Sequence, residues 1–243
     1  MFEWLLVLLV GLCVGSFLNV AILRIPEDKS ILFPASHCPS CQHPLSWYHN
    51  IPLLSWIFLR GKCAFCHTSI SYQYPLIELL TALVYLSVFL HVNHLLYAFV
   101  LGTLFALLLA LSVIDLRYKA VPDALSIPAL LLSFCTATPL DALHNGILLM
   151  GGFAFLRIVL SSLLKKEVMG EADIIIAGII GAVVGIKLGL FAIYLSAVIA
   201  LIAFVVVRKR GYELPYIPFL SGALFITWLF KTPILLFLEA LYE

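Results

Sequence analysis

Two acidic side chains, Asp115 and Asp173, lie at the boundaries of long apolar segments. Asp173 precedes the uncharged run 174–186, and Asp115 follows the apolar run 95–114. An aspartate at a helix N-terminus is commonly a cap, which would by itself account for Asp123 and for Asp173. Asp115 instead ends its predicted helix, where the helix dipole disfavours an anion. This placement favours a pair of carboxylates at one membrane boundary.

A carboxylate pair has a definite chemistry. Two carboxyl groups held close together do not easily carry two negative charges, so the pair shares a proton. Such a pair can deprotonate a water molecule and protonate a leaving amine, which amounts to peptide hydrolysis without a covalent intermediate. Small residues Gly181, Gly185 and Gly189 follow Asp173 at G-x-x-x-G spacing and are expected to let helices pack closely.

Four cysteines form a second candidate site in the polar segment 24–75. Cys38 and Cys41 form one C-x2-C pair, and Cys63 and Cys66 form another after 21 intervening residues. Paired thiolates at this spacing are typical of a tetrahedral zinc site, which would supply folding energy to the loop. Disulfides are the alternative, disfavoured if the loop is cytosolic. His37, His43 and His67 are alternative ligands, and Cys13 and Cys135 are expected in spans.

The elements that position these residues are predicted to be membrane helices. The chain of 243 residues is 63% hydrophobic and 11% charged, whereas a soluble domain has about 25% charged residues. Its net charge of +1 gives no reason to expect nucleic-acid binding. We predict an all-α polytopic membrane protein with eight transmembrane helices and a cytoplasmic zinc-binding loop. The predicted spans are 4–23, 76–92, 95–114, 124–138, 144–164, 174–187, 189–207 and 216–231. The first is expected to be a retained helix rather than a signal peptide.

Basic residues predict the orientation of these helices. If the loop 24–75 is cytoplasmic, 11 of the 14 Lys and Arg residues fall on the cytoplasmic side. They are Arg24, Lys29, Arg60, Lys62, Arg117, Lys119, Lys165, Lys166, Arg208, Lys209 and Arg210. Lys187 and Lys231 fall on the other side, and Arg157 lies inside a span, either extended toward the interface or paired with Asp173. Asp115 and Asp173 are then both at the cytoplasmic boundary.

Several motifs together resemble one family, the bacterial type IV prepilin peptidases, which are G-x-G-D aspartyl proteases with an N-methyltransferase activity. The opening GLCVGSFLNVAILRIP (11–26), the loop segment NIPLLSWIFLRGKC (50–63) and SYQYPLIELLTAL (71–83) are similar to the family's N-terminal part. IDLRYKAVPDALSIP (114–128), KEVMGEAD (166–173) and PYIPFLSGAL (215–224) resemble its catalytic part.

This resemblance implies that Asp115 and Asp173 are the catalytic pair, and that Cys38, Cys41, Cys63 and Cys66 bind Zn²⁺. The expected reaction removes the basic leader from prepilins or pseudopilins at the cytoplasmic face of the bacterial inner membrane. Methylation of the new N-terminal residue by S-adenosylmethionine follows. The substrates would belong to a type IV pilus or a type II secretion system. We expect residues 1–92 to be the methyltransferase-associated domain and 93–243 to be a six-helix protease domain.

Three positions concern the methyltransferase site or depart from the family pattern. Glu78, early in the second span, is a candidate for binding the cofactor's amino group or the substrate's new N-terminus; the alternative is a structural ion pair with Arg24 or Arg60. Ala172 stands where the family has glycine, and cleavage is expected to survive this change. Gln73 stands where arginine is usual, which bears on methylation more than on cleavage.

Two other function classes use the same residues. A proton-coupled transporter could employ Asp115 and Asp173, but transporters usually place such acids at the membrane midplane and contain repeats. A non-catalytic membrane assembly protein could use the cysteine loop to bind a partner. Loss of cleavage in Asp115→Asn and Asp173→Asn, with normal expression and zinc content, would exclude both.

Overall fold

The computed structural model describes residues 2–92, 94–136, 138–166, 169–207 and 214–240. Within these ranges the regular structure is helical, as predicted, with two short 3₁₀ turns at Ile25–Glu27 and Trp47–Asn50 and no extended strand. The α-helices are α1 (Glu3–Arg24), α2 (Leu54–Phe58), α3 (Gln73–Val92), α4 (Leu95–Tyr118), α5 (Asp123–Ser133), α6 (Pro139–Leu164), α7 (Glu171–Val207), α8 (Ile217–Leu229) and α9 (Lys231–Ala240). Arg208, Lys209 and Arg210, which contribute to the predicted charge asymmetry, lie outside the described residues.

Fewer helices than the predicted eight are long and apolar enough to cross a membrane. Within the described ranges, α1, α3, α4, α6 and α7 meet that test, and α8 and α9 add a sixth if the pair, bent by 84°, is one span. The predicted span 124–138 is α5, whose 11 residues fall short of the usual length. The predicted spans 174–187 and 189–207 together form the 37-residue α7. The chain is therefore a multi-pass membrane protein with five or six spans by length and composition.

α7 nevertheless reverses direction within its length. Gly185 leaves helical geometry, with φ 77° and ψ 179°, a conformation open to glycine and strained for other residues. A Cβ atom placed on Gly189 would lie 3.4 Å from a methyl carbon of Ile180. In a straight helix, residues nine apart are separated by about 13.5 Å along the axis. The two halves of α7 therefore fold back on each other at Gly185, two residues before the predicted break near Lys187.

The chain divides into two compact units, Met1–Ala106 and Leu107–Glu243. In the N-terminal unit, α1 packs on α3 through two glycines. A Cβ atom at Gly11 would lie 2.7 Å from the Cα atom of Ala82, and one at Gly15 would lie 2.7 Å from the Cα atom of Glu78. The absence of side chains at Gly11 and Gly15 thus allows backbone-to-backbone packing, as expected for membrane helices.

In the C-terminal unit, α7 packs against α5, α6 and α8. The closest approach is between α6 and α7, where a Cβ atom on Gly181 would overlap the carbonyl oxygen of Asn145. Gly146 faces the carbonyl oxygen of Gly178 across the same contact. This arrangement agrees with the predicted role of the small residues after Asp173 in close helix packing. The packing holds α7, which has Asp173 in its first turn, against α6.

Candidate functional site

Asp115 lies near the C-terminal end of α4 and is buried, with 7% of its surface exposed. Its Oδ2 atom accepts a hydrogen bond from the backbone N–H of Ile217, at 3.1 Å. Ile217 is the first residue of α8, so the carboxylate caps a helix other than its own. The positive end of the α8 dipole offsets the unfavourable position of Asp115 on α4. Burial of an acid at this position is thereby tolerated.

The start of α8 is fixed by a side-chain contact to α7. The hydroxyl groups of Tyr216 and Ser196 are hydrogen-bonded at 2.8 Å. Pro218 occupies the second position of α8, where a missing N–H group leaves no hydrogen bond unmade. These features hold the backbone segment that donates to Asp115.

Asp173 is the third residue of α7, and its Oδ2 atom accepts the backbone N–H of Gly170 at 3.1 Å. This is the reciprocal half of a capping box, so the capping role considered for Asp173 is present. Capping does not exclude pairing, because the carboxyl groups of Asp115 and Asp173 also interact electrostatically. Two acids 58 residues apart in sequence thus lie close enough to interact, and each accepts a backbone N–H group at the N-terminal end of a helix.

Ala172, which replaces the family's glycine, lies in the first turn of α7. The backbone φ angle of Ala172 is not positive. The freedom that glycine would provide is not used in this structure, so the alanine leaves Asp173 at the helix terminus.

Arg157 forms an ion pair with Glu171, with Nη1 and Oε1 at 3.2 Å. This contact differs from the Asp173 partner considered from the sequence. Arg157 also lines a cavity of about 300 Å³ together with Ala154, Ile158, Ser161 and Ile174. The cavity lies between α6 and the first turn of α7, and Ile174 directly follows Asp173.

The four loop cysteines converge on one point. The Sγ atoms of Cys38, Cys41, Cys63 and Cys66 all lie within 4.8 Å of one another, and those of Cys38 and Cys66 are 3.8 Å apart. All four are free thiols, so the disulfide alternative is not the arrangement seen. The cluster is a candidate metal centre, and none of His37, His43 and His67 belongs to it.

The two cysteine pairs have the same local backbone. Cys38 N–H donates to His43, and Cys63 N–H donates to Thr68, each five residues on. The residue after each second cysteine, Gln42 or His67, has positive φ. These tight turns bring both thiols of each pair to one side. Hydrogen bonding by the Thr68 side chain and backbone lowers the pKa of Cys66 to about 6, which favours its thiolate form.

Glu78 lies on α3 and is 6% exposed. Its Oε2 atom accepts the backbone N–H of Leu53 at 2.8 Å, which attaches the loop to α3. The ion pair with Arg24 or Arg60 considered from the sequence is not formed: the side chain of Arg24 donates to the carbonyl oxygen of Ser30, and the ion pairs among the described residues do not include Glu78.

Sequence reasoning did not identify the backbone groups that hold the two aspartates. Ile217 and Gly170 act through N–H groups, which carry no residue signature. The segment PYIPF, with proline at the second helical position, indicates a helix start near Ile217. Nothing in the sequence indicated that this start lies against Asp115, 102 residues earlier.

Two family models match the chain. The Bacterial Peptidase A24 N-terminal domain matches residues 9–92, which include the four clustered cysteines and Glu78. The Type IV leader peptidase family matches residues 102–206, which include Asp115 and Asp173. The two matches therefore separate the cysteine cluster from the aspartate pair.

Curated relatives agree with these matches. The prepilin leader peptidase/N-methyltransferase of Myxococcus xanthus is 36% identical over 211 residues, which cover 83% of this chain and 63% of that protein. The type 4 prepilin-like proteins leader peptide-processing enzyme of Escherichia coli is 37% identical, with 87% and 88% covered. The prepilin leader peptidase/N-methyltransferase of Bacillus subtilis is 31% identical, with 93% and 94% covered. No solved structure gives a significant match to the chain. The motifs, the paired helix-end aspartates and these matches agree, and the chain belongs to the type IV leader peptidase family.

Proposed function

We propose that the protein is an intramembrane aspartyl protease that removes the basic leader of type IV prepilins or pseudopilins and then methylates the new N-terminus. The observation that carries the peptidase part is that the carboxyl groups of Asp115 and Asp173 lie close enough to interact electrostatically, each held by a backbone N–H group at a helix start. The relatives' names support both activities.

The reaction that this pair supports is direct hydrolysis. The ionised carboxylate takes a proton from water as the water oxygen adds to the scissile carbonyl carbon. The protonated carboxyl group gives its proton to the amide nitrogen, and the C–N bond breaks. The pair is left with one proton, and the products are a leader with a carboxylic acid and a mature segment with an amine. The proton of that acid then passes to the amine, which gives a carboxylate and an ammonium group. Nothing covalent forms between substrate and protein.

The position of the pair fits a prepilin. Two acids at one boundary suit a peptide bond between a basic segment, which stays in water, and an apolar helix, which enters the bilayer. The excess of basic residues near the membrane ends supports the proposal that this boundary is on the cytoplasmic side of the bacterial inner membrane.

We also propose eight crossings, three of them shorter than usual. Because Asp115 and Asp173 interact, the chain between them crosses the membrane an even number of times. α6 is one crossing, so α5 with the turn after it supplies the other. The two halves of α7 supply two more, and α8 is the eighth. We further propose that residues 1–92 are the methyltransferase-associated domain and residues 93–243 the protease domain.

The cysteine cluster is proposed to bind Zn²⁺. With Zn–S bonds of about 2.3 Å, a tetrahedral site has sulfur atoms about 3.8 Å apart, which equals the separation of Cys38 and Cys66. Purified protein is expected to contain one zinc per chain, and chelation is expected to make the loop sensitive to protease, because a metal supplies folding energy to such loops. Cys135→Ser is the matched control and should retain the metal; a Cys63→Ser variant with full zinc content would contradict the assignment.

Methylation is proposed to use S-adenosylmethionine, with Glu78 as a cofactor-binding residue. The test of the whole function uses protein in lipid nanodiscs, a prepilin substrate and mass spectrometry of the product's N-terminus. A shortened product with one added methyl is expected when S-adenosylmethionine is present. Cleavage without methylation would limit the function to the peptidase. An intact substrate, with the zinc loop folded, would favour the non-catalytic assembly protein.

A further inference from the structure

Glu78 is buried near the start of α3, where several other side-chain atoms are buried without a hydrogen-bond partner. One carboxylate oxygen accepts the Leu53 N–H at 2.8 Å, and the Ser16 hydroxyl lies close enough to interact. No cation among the described residues neutralises the carboxylate. A buried carboxylate is normally paired with a cation or coordinates a metal. The second carboxylate oxygen is therefore a candidate acceptor for a ligand that brings its own positive charge.

Asn19 adds a second acceptor. Its side chain is 1% exposed, and its Nδ2 atom donates to the carbonyl oxygens of Gly15 and Tyr74, at 3.3 and 3.0 Å. These two contacts fix the amide orientation, because a flipped amide would turn its oxygen toward two carbonyl oxygens. The Oδ1 atom is then buried with no donor. Leaving a buried acceptor unsatisfied costs about 1–3 kcal/mol.

Helix packing brings the two acceptors to the same layer. Gly15 lies against the Cα atom of Glu78, and Asn19, one turn along α1, reaches Tyr74, one turn before Glu78 on α3. Helical side chains lean toward the N-terminus of their helix, so the Glu78 carboxylate leans toward the level of Tyr74 and Asn19. Two acceptors in one layer, one of them charged, match an ammonium group, which has three N–H donors.

Two unpaired donors lie at or next to the start of α3. The Nε2 atom of Gln73 and the indole Nε1 atom of Trp56 are both buried without an acceptor. Gln73 begins α3, and Trp56 packs against Tyr72, with ring centroids 5.1 Å apart. Donors beside an ammonium site match a carboxylate on the same ligand. The chemical class that carries both groups is the α-amino acid.

We propose that Glu78 and Asn19 bind the ammonium group, and Gln73 and Trp56 the carboxylate, of the amino-acid end of S-adenosylmethionine. This inference rests on the proposed methyl transfer, for which that molecule supplies the methyl group. The substrate's new N-terminus also has an amine. Its carbonyl group, however, is part of a peptide bond, so it offers no carboxylate to the donors of Gln73 and Trp56.

The test measures binding rather than turnover. S-adenosylhomocysteine carries the amino-acid end, and 5′-methylthioadenosine lacks it, so the pair isolates that end. We expect Glu78→Gln to weaken binding of S-adenosylhomocysteine about 10- to 100-fold, the range for a lost charged hydrogen bond. Binding of 5′-methylthioadenosine should be unchanged. Glu171→Gln, an exposed glutamate, is the control, and thermal unfolding with zinc content reports whether each variant is folded.

A gain-of-affinity variant keeps the inference testable if Glu78→Gln folds poorly. Gln73→Arg places a guanidinium group beside the ligand's carboxylate, so S-adenosylhomocysteine should bind more tightly and 5′-methylthioadenosine should not.

Other outcomes distinguish a failure of this inference from a failure of the proposed methyl transfer. If the native protein binds neither nucleoside, the methyl-transfer proposal fails, and the inference fails with it. If both bind and Glu78→Gln weakens them equally or not at all, methyl transfer stands and the site is elsewhere. Unchanged S-adenosylhomocysteine binding with a raised KM for the cleaved prepilin would assign Glu78 to the substrate's amine instead.

Discussion

Asp115 and Asp173 are held by the same physical device, a backbone N–H group at the N-terminal end of a helix. Asp173 accepts from Gly170 before its own helix, and Asp115 accepts from Ile217 at the start of α8. Both carboxylates therefore lie where a helix dipole favours negative charge. This arrangement lets the buried Asp115 and the half-buried Asp173 stay close together, and the ion pairs among the described residues include neither of them.

The Tyr216–Ser196 hydrogen bond gives a prediction about positioning. Tyr216→Phe removes a 2.8 Å contact that holds the start of α8 against α7. We expect prepilin cleavage to slow about fivefold, since a typical hydrogen bond contributes about 1 kcal/mol. Ser196→Ala should give a similar loss, and the double variant should be no slower than either alone.

Tyr194→Phe is the matched control, because Tyr194 lies on α7, as Ser196 does, and its side chain is largely exposed. Steady-state cleavage rates of all four variants provide the measurement. Losses that add in the double variant would show that the two hydroxyl groups act separately.

At the scale of elements, the sequence predicted which side chains the fold brings together better than it predicted helix lengths. The C-x2-C spacing correctly predicted that four cysteines form one cluster, because the spacing itself defines the tight turns. Span lengths were less predictable. α5 is short because the turn at residues 134–136 ends the helix inside the predicted span 124–138, and apolar composition does not show where a helix ends. The reversal in α7 depends on one glycine, Gly185, whose φ of 77° no hydropathy pattern reveals.

Helix packing in the C-terminal unit gives a prediction at this scale. A Cβ atom on Gly181 would overlap the Asn145 carbonyl oxygen, whereas one on Gly151 would meet nothing within 4 Å. Gly181→Ala is expected to cost about 1–3 kcal/mol of stability through overpacking. Gly151→Ala should be neutral or stabilising by up to about 1 kcal/mol, since alanine favours helix. Thermal unfolding in detergent compares the two variants, and equal melting temperatures would contradict the packing described.

At the scale of the whole molecule, the proposed topology requires the loop before α7 and the reversal at Gly185 to face opposite sides of the membrane. Cysteines introduced at Lys165 and Lys187 test this in a background lacking Cys13 and Cys135. The four clustered cysteines remain, so labelling of each variant is compared with that of the background itself. A membrane-impermeant maleimide added to intact cells should label the Lys187→Cys variant and not the Lys165→Cys variant. Lysed cells, in which both should react, provide the control.

Labelling of both variants from the same side would mean that the first half of α7 does not cross the bilayer. The eight-crossing topology would then be wrong. The five or six spans identified by length and composition would need a different connection.

The central claim is that Asp115 and Asp173 act together on one peptide bond, and the most direct measurement is prepilin cleavage by Asp115→Asn, Asp173→Asn and the double variant in nanodiscs. Each single variant is expected to lose at least about 1000-fold in rate, within the range for a lost general acid or base. The double variant should be no slower, because groups that act as a unit are not additive. The control is Asp123→Asn, which changes an exposed aspartate at the start of α5; this variant should cleave prepilin at the native rate. Activity within tenfold of the native protein in either single variant would contradict the account.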